Sequence, residues 1–190
     1  QGGVNFHRNF EVGRDATLQE LRDRHDAVLI ATGVYKARNI QVPGVGLENV
    51  VPALDFLIAS NRKGLNDAVP AFDDGIHLGV PDASGRQTPE LIPGSSYNAE
   101  ADIAIKALGF DPEDLPTLFN APELQVTKWG TVRINHRTMM TNLDGVFAAG
   151  DIVRGASLVV WGIRDGRDAA EGIHTYIEAR AASGAAVAAE

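Results

Sequence analysis

Thr141-Asn142-Leu143-Asp144-Gly145-Val146-Phe147-Ala148-Ala149-Gly150-Asp151, followed by Gly155-Ala156-Ser157-Leu158-Val159-Val160, sets the architecture of this chain. Residues 146–149 are a short apolar run bounded by Gly145 and Gly150, the pattern of a strand buried on both faces. Gly150 permits a tight turn, which leaves Asp151 at the carboxyl end of that strand. After a brief connection a new helix is expected to begin near Ala156, its unpaired N–H groups and positive dipole end directed at the same place. A carboxylate that accepts hydroxyl hydrogens, beside a helix start that attracts negative charge, suits a polyol joined to a charged or electron-rich ring. Taken alone, Asp151 suits a helix N-cap or turn residue equally well.

The new helix is expected to run over about 156–180. Leu158, Gly162, Gly166, Ala169, Ala170, Ile173 and Ile177 recur at spacings of three and four and mark an inward face. Gly162 and Gly166 on that face imply close backbone approach, because glycine otherwise costs about 1 kcal/mol in a helix interior. Arg164 and Asp168, four apart, suit an ion pair on the exposed face. The alanine-rich 181–190 is expected to be a disordered tail.

Upstream, Val4, Phe6 and Phe10 with Glu11-Val12-Gly13 predict a strand and its exit. Thr17 and Glu20 compose a capping box for a helix over 18–23. Asp26-Ala27-Val28-Leu29-Ile30-Ala31-Thr32-Gly33 predicts a buried strand that ends in Thr-Gly. Strand, helix and strand in that order imply a parallel pair with a right-handed crossover. By itself Ala31-Thr32-Gly33 is equally a generic strand-to-turn junction.

Residues 35–43 read as irregular. Gly44-Val45-Gly46 fails as a dinucleotide fingerprint, since Asn49 stands where the third glycine is needed and no strand leads directly into it. A helix over 50–59 and a strand over 101–107 follow. Two hairpins are expected, over 78–92 around Asp82-Ala83-Ser84-Gly85-Arg86 and over 124–134 around Lys128-Trp129-Gly130. Asp82 and Arg86 suit a turn salt bridge better than a substrate pair. The histidines show no metal-ligand spacing, and Ser157 lacks the Gly-x-Ser-x-Gly elbow of a hydrolase nucleophile. Trp129 and Trp161 suit core or interface packing.

With 190 residues, 44% of them hydrophobic, the chain can bury a core as one domain with a small appendage. The net charge of −8 provides no basic footprint for nucleic acid. No apolar run approaches the roughly 18 residues that span a bilayer, and no secretory leader is evident. A cytoplasmic setting is expected. The absence of cysteine excludes disulfides, thiolate catalysis and cysteine-ligated iron–sulfur or zinc sites within this chain.

The opening stretch resembles the second FAD-contacting motif of flavoprotein oxidoreductases with two dinucleotide-binding domains. Gly145-Val146-Phe147-Ala148-Ala149-Gly150-Asp151-Ile152-Val153-Arg154-Gly155-Ala156-Ser157-Leu158-Val159-Val160-Trp161, continuing into Ile163-Arg164-Asp165-Gly166-Arg167-Asp168-Ala169-Ala170, is similar to the small (beta) subunit of NADPH-dependent glutamate synthase. The resemblance implies an α/β fold: a partial FAD-binding Rossmann-like, three-layer domain with a parallel sheet and β-hairpins, plus the remnant of a second, NADPH-binding domain. It implies that Asp151 meets the flavin ribitol and that Gly150 is among the cofactor-binding residues. The amides of Ala156, Ser157, Leu158 and Val159 would face the isoalloxazine, and Thr32 and Gly33 would lie beside the cofactor. A flavin contact is also open for Trp161.

By the same resemblance, residues 1–43 are a segment of the FAD domain and 44–110 a connector with the NADPH-domain remnant. Residues 111–180 are the C-terminal FAD segment, and strand 101–107 is the return crossover. The resemblance implies electrons passing from NADPH through FAD and iron–sulfur centres, in the full subunit only, to the large (alpha) subunit. There glutamine and 2-oxoglutarate yield glutamate.

The glycine-rich turns that would hold the FAD and NADPH pyrophosphates have no counterpart in the sequence. The resemblance puts the missing NADPH-binding body between Asp73-Asp74-Gly75 and Ile76. The family's cysteine-rich iron–sulfur domain is absent as well. The start without Met suits a longer subunit represented by its joined parts, while a genuinely shortened product is the alternative. The 190 residues alone are expected to bind FAD weakly or not at all. A different class of function, a catalytically silent remnant serving as an assembly or interaction module, stays open.

Overall fold

The computed structural model describes residues 3–65, 67 and 101–187, which divide into two compact units, Gln1–Arg38 with Gly109–Glu190, and Asn39–Leu108. In the first unit, β1 (Val28–Ile30) pairs in parallel with β6 (Val146–Ala148), in the register Val28↔Val146, Leu29↔Phe147 and Ile30↔Ala148. The other edge of β6 takes hydrogen bonds from residues 139–141: Thr141 N donates to Val146 O, and Ala148 N donates to Met139 O. With neighbours on both edges, β6 is the central strand, and its three residues are buried.

The alternation along β6 distributes the core. Val146 and Ala148 face one side, with Leu18, Ile30, Leu115, Leu124, Val132, Leu143 and Ile152. Phe147 and Ala149 face the other, with Met139 and Ala169, and Ile173 and Tyr176 pack against them. The first side is covered by α1 (Leu18–Arg24) and α3 (Leu115–Leu118), the second by the long helix α5 (Val159–Val187). Helices on both faces of a parallel pair give the mixed α/β, three-layer arrangement of a partial Rossmann-like domain.

Several local expectations are met. The capping box at Thr17 forms, with Glu20 N donating to Thr17 Oγ1 at 3.1 Å and Thr17 N donating to the Glu20 carboxylate at 2.8 Å. The hairpin over 124–134 closes through Thr127 N to Thr131 O, 2.8 Å, and Arg133 N to Gln125 O, 2.9 Å. Arg164 and Asp168 approach to 3.6 Å on the exposed face of α5.

Others need correction. The strand expected from Val4 to Val12 does not form, and Val4 and Phe6 are 71% and 86% exposed. Glu11, Arg14 and Asp15 instead bond to one another and to the local backbone around a turn, including Glu11 N to Asp15 Oδ2 at 2.7 Å. Short polar side chains that satisfy the backbone in this way compete with a sheet ladder. The parallel partner of β1 is therefore β6, over a hundred positions on, rather than an N-terminal strand.

The irregular 35–43 contributes a short strand, β2 (Lys36–Ala37), antiparallel to β5 (Phe110–Asp111). The helix expected to end near Arg180 continues to Val187, since alanine has the highest helix propensity and nothing before Val187 breaks the run. Of the core or interface roles expected for Trp129, the core is excluded: it is 71% exposed, with Lys128 Nζ 4.5 Å from its ring centroid.

In the second unit, β3 (Val50–Pro52) runs parallel to β4 (Ala104–Lys106), and α2 (Ala53–Gly64) buries Phe56 and Ala59. The helix expected from Val50 thus begins only after Pro52, whose ring fixes φ and suits the entry position. The hairpin over 78–92, the pair Asp82 and Arg86, and the junction at 75–76 lie outside the described residues.

Candidate functional site

At the carboxyl end of β6 the chain turns on Gly150, at φ 79° and ψ −150°, a conformation that only glycine adopts readily. Asp151 then opens a one-turn helix, α4 (Asp151–Arg154), where the sequence had suggested only a connection. Gly155 leads out of it, and the link bends at 155–156 and reaches Leu158 without helical structure. The first turn of α5 closes with Trp161 N donating to Leu158 O at 2.9 Å. The helix start therefore lies about Leu158 and Val159, three residues beyond the expected Ala156. The link stays out of the helix because the Ser157 hydroxyl donates to Asp151 Oδ1 at 2.8 Å, a side-chain bond that replaces helical turns.

These elements enclose a groove of about 440 Å³ lined by Leu29, Ala31, Gly33, Ala149, Gly150, Asp151, Ser157, Leu158, Val159, Gly162, Ile163 and Gly166. Gly33, Gly150, Asp151, Ser157, Leu158 and Val159 are thus brought together at the carboxyl ends of two adjacent parallel strands, where open α/β sheets bind ligands. Thr32 and Ala156 are exposed and not part of the lining. The groove has two chemical sides. Leu158 at 68%, Val159 at 79% and Ile163 at 55% exposure give an apolar wall with no covering group among the described residues. Opposite stands the Asp151 carboxylate, oriented by Ser157. A patch of exposed aliphatic side chains around a fixed carboxylate marks a binding surface. It suits a molecule with a flat apolar part and a chain of hydroxyls.

Gly162 and Gly166 do not serve close packing as expected. A Cβ at either would meet nothing within 4 Å, and both face the groove. The close approach lies at Gly172, where a Cβ would sit 2.1 Å from Thr138 O. The inward face of α5 also carries Asp165, 1% exposed, which the pattern of apolar residues passed over. Its carboxylate accepts from Arg154 Nε at 2.6 Å and Arg154 Nη2 at 2.6 Å, and from the Gly150 amide at 3.3 Å. The eleven-residue separation of Arg154 and Asp165 across a loop gives no helical spacing by which to find the pair. Arg154 also stacks over Trp161, 4.9 Å from the ring centroid, so that Trp161 is 40% exposed.

No family model matches the chain. Curated relatives do. It is 46% identical to the glutamate synthase [NADPH] small chain of Azospirillum brasilense, an alignment covering 99% of this chain and 56% of that protein. It is 40% identical to a putative glutamate synthase [NADPH] small chain of Cereibacter sphaeroides, covering 100% of this chain and 64% of that protein. The chain is similar to glutamate synthase small chains over nearly its whole length.

The chain is also 36% identical to the NADPH-Fe(3+) oxidoreductase subunit beta of Geobacter sulfurreducens, over 93% of this chain and 40% of that protein. The chain spans between about half and two thirds of the length of these two glutamate synthase relatives. The alignments run over 271 and 272 positions against 190 residues here, so within the matched span each relative carries sequence without a counterpart in this chain. Among the described residues no helix is long and apolar enough to cross a membrane.

The pair of Asp165 and Arg154 has a pH signature. Arg154 beside Asp165 holds that carboxyl below the ordinary aspartate value of 3.8, against the opposing effect of burial. A carboxylate with a lowered folded-state pKa contributes stability that is full above 3.8 and is lost as pH falls through the lower, folded value. Asp165→Asn is expected to cost about 2 kcal/mol at neutral pH, because the half-exposed Arg154 head can return to water. On acidification from about pH 6 to about pH 3, its melting temperature should fall less than that of the parent chain. Parallel melting curves against pH measure this.

Proposed function

We propose that this chain carries the flavin cradle of a glutamate synthase small subunit, with the groove at Gly150 and Asp151 receiving the ribityl-isoalloxazine part of FAD. The observation that carries the proposal is the Asp151–Ser157 hydrogen bond of 2.8 Å beside the apolar start of α5. The donor set fits the group. Asp151 accepts from ribityl hydroxyls, and Leu29, Leu158, Val159 and Ile163 offer apolar contact to a flat ring. The amides of Val159 and Val160, at the start of α5 and ahead of its first internal bonds, would favour an electron-rich ring edge. Thr32 and Ala156 take part through the backbone segments that border Gly33 and Ser157.

When bound, FAD supplies the hydride and electron chemistry. The chain's own residues bind and orient it. In the whole subunit NADPH is the electron donor, iron–sulfur clusters carry the electrons onward, and the large subunit completes glutamate formation. The NADPH donor follows the printed names of the relatives, while the iron–sulfur relay and the large subunit follow the sequence resemblance. This chain contains no cysteine, so thiolate ligands to a cluster come from elsewhere. The unmatched span of the relatives supports the absence of a nucleotide-binding body from this chain. FAD is accordingly expected to bind the 190 residues weakly, without a pyrophosphate loop.

The test uses flavin mononucleotide, soluble at millimolar concentration, titrated into the chain and followed by its amide resonances. Shifts at Gly33, Gly150, Asp151 and Ser157 are expected. Asp151→Ala should weaken binding by about 1–2 kcal/mol, the worth of hydrogen bonds to a charged acceptor. Groove amides that stay unmoved in the parent chain refute the cradle. That outcome favours a second proposal, an assembly or interaction module, which the bare apolar wall at Leu158, Val159 and Ile163 would serve.

A further inference from the structure

Asp165 is a carboxylate on the inward face of α5, one position before Gly166 and three after Gly162, both of which line the groove. It does not line the groove itself. Its two oxygens instead accept from Nε and Nη2 along one edge of the Arg154 guanidinium, on the last residue of α4, and one of them accepts from the amide of Gly150 at the end of β6. One buried carboxylate therefore joins the three backbone elements that form the groove: its floor at Gly150, the α4 side that begins with Asp151, and the α5 side at Leu158 and Val159.

A bidentate arginine–carboxylate pair fixes orientation as well as distance, since the fork and the carboxylate must be coplanar to make both bonds. Arg154 is further constrained by the face of Trp161 on α5. The Gly150 turn has no side-chain cap of its own, its carbonyl is held by Val153 N and Arg154 N, and the Asp165 carboxylate adds a side-chain acceptor to its amide.

From these contacts we infer that Asp165 and Arg154 are a positioning pair: they hold the Gly150–Asp151 turn against the start of α5, and a flavin-class ligand enters a groove whose shape depends on them. This deepens the cradle proposal and rests on it for the identity of the ligand. The geometric part, the fixing of the turn, does not. A binding site kept within a fraction of an ångström by residues beneath the contacting layer loses affinity when that layer loosens.

The experiment is the same amide-resolved flavin mononucleotide titration of the 190-residue chain at low temperature, for the parent, Asp165→Asn and Arg154→Lys. Hydrogen exchange at Gly150 and Trp161 fluorescence, recorded in a Trp129→Phe background, are read alongside. With the amides of β6 still protected, Asp165→Asn is expected to exchange Gly150 faster, shift Trp161 emission, and weaken the flavin response at Asp151 and Ser157 roughly tenfold. Arg154→Lys, which keeps the charge and loses the fork, should fall between it and the parent.

A folded Asp165→Asn chain with parent-like Gly150 exchange and parent-like flavin response overturns the inference. If Asp165→Asn does not fold, Arg154→Lys decides, and a parent-like result there overturns it. If the parent chain itself shows no flavin response in the groove, the ligand assignment fails. Gly150 exchange and Trp161 emission then decide the positioning role, and values unchanged from the parent overturn it.

Discussion

Gly172→Ala is expected to destabilise the protein by about 3 kcal/mol, the upper part of the range for overpacking a filled core. The added Cβ would stand 2.1 Å from the carbonyl oxygen of Thr138 and 3.0 Å from its carbon, both backbone atoms that no rotamer change can move aside. It would also lie 3.5 Å from the Phe147 ring. Relief requires α5 to lift from β6, which opens the contacts of Ala169, Phe147 and Met139. Gly166→Ala, six positions earlier on the same helix, is expected to do the opposite. Nothing stands within 4 Å of its Cβ, so the change removes the helix-interior cost of glycine and gains up to about 1 kcal/mol. Because Gly166 borders the groove, that more stable variant should bind flavin mononucleotide less well. Denaturant unfolding measures the first pair of effects and the titration measures the second. A stable Gly172→Ala chain would mean that α5 does not rest on Thr138.

Phe147→Ala is expected to cost about 4 kcal/mol, as for other fully buried phenylalanines. The ring is 1% exposed and meets Tyr176 edge-on, with centroids 5.7 Å apart and planes at 73°. Tyr176 in turn donates to Asp144 Oδ2 at 2.7 Å, so loss of the ring releases a contact network that ties α5 to the loop before β6. The cavity cannot collapse easily, because β6 is held on both edges by backbone hydrogen bonds. Gly172 and Phe147 share one interface, so the two substitutions combined should cost less than their sum. Chevron or equilibrium unfolding of the single and double variants checks both magnitude and coupling.

The sequence was most readable where local and tertiary signals agree. Gly145 and Gly150 bracketing four apolar residues leave few alternatives to a buried strand, and the Thr17–Glu20 box names its helix without outside help. The turn at Gly150 and the carboxylate at Asp151 were legible for the same reason: glycine and a short acidic side chain at a strand end admit few conformations.

Val4, Phe6 and Phe10 misled because alternation reports a face to be covered and does not say whether a partner edge is at hand. The partner of β1 comes from far along the chain, and no local pattern carries that pairing. The start of α5 was misplaced by three residues, since the competition of Ser157 with the helix depends on where Asp151 points. Gly162 and Gly166 were assigned to packing because helical periodicity gives an angle around the axis and not the identity of what lies opposite. Asp165 was hidden for a related reason. A buried carboxylate is permitted only by its partner, and Arg154 reaches it through a turn that spacing rules do not describe.

The most direct test of the cradle is a set of nuclear Overhauser contacts between the ring protons of flavin mononucleotide and the methyl groups of this chain, recorded at millimolar ligand. The proposal predicts contacts to Leu29, Leu158, Val159 and Ile163, accompanied by shifts of the Gly150 and Asp151 amides. Ring contacts at some other surface, or none in the presence of a folded chain, would contradict it.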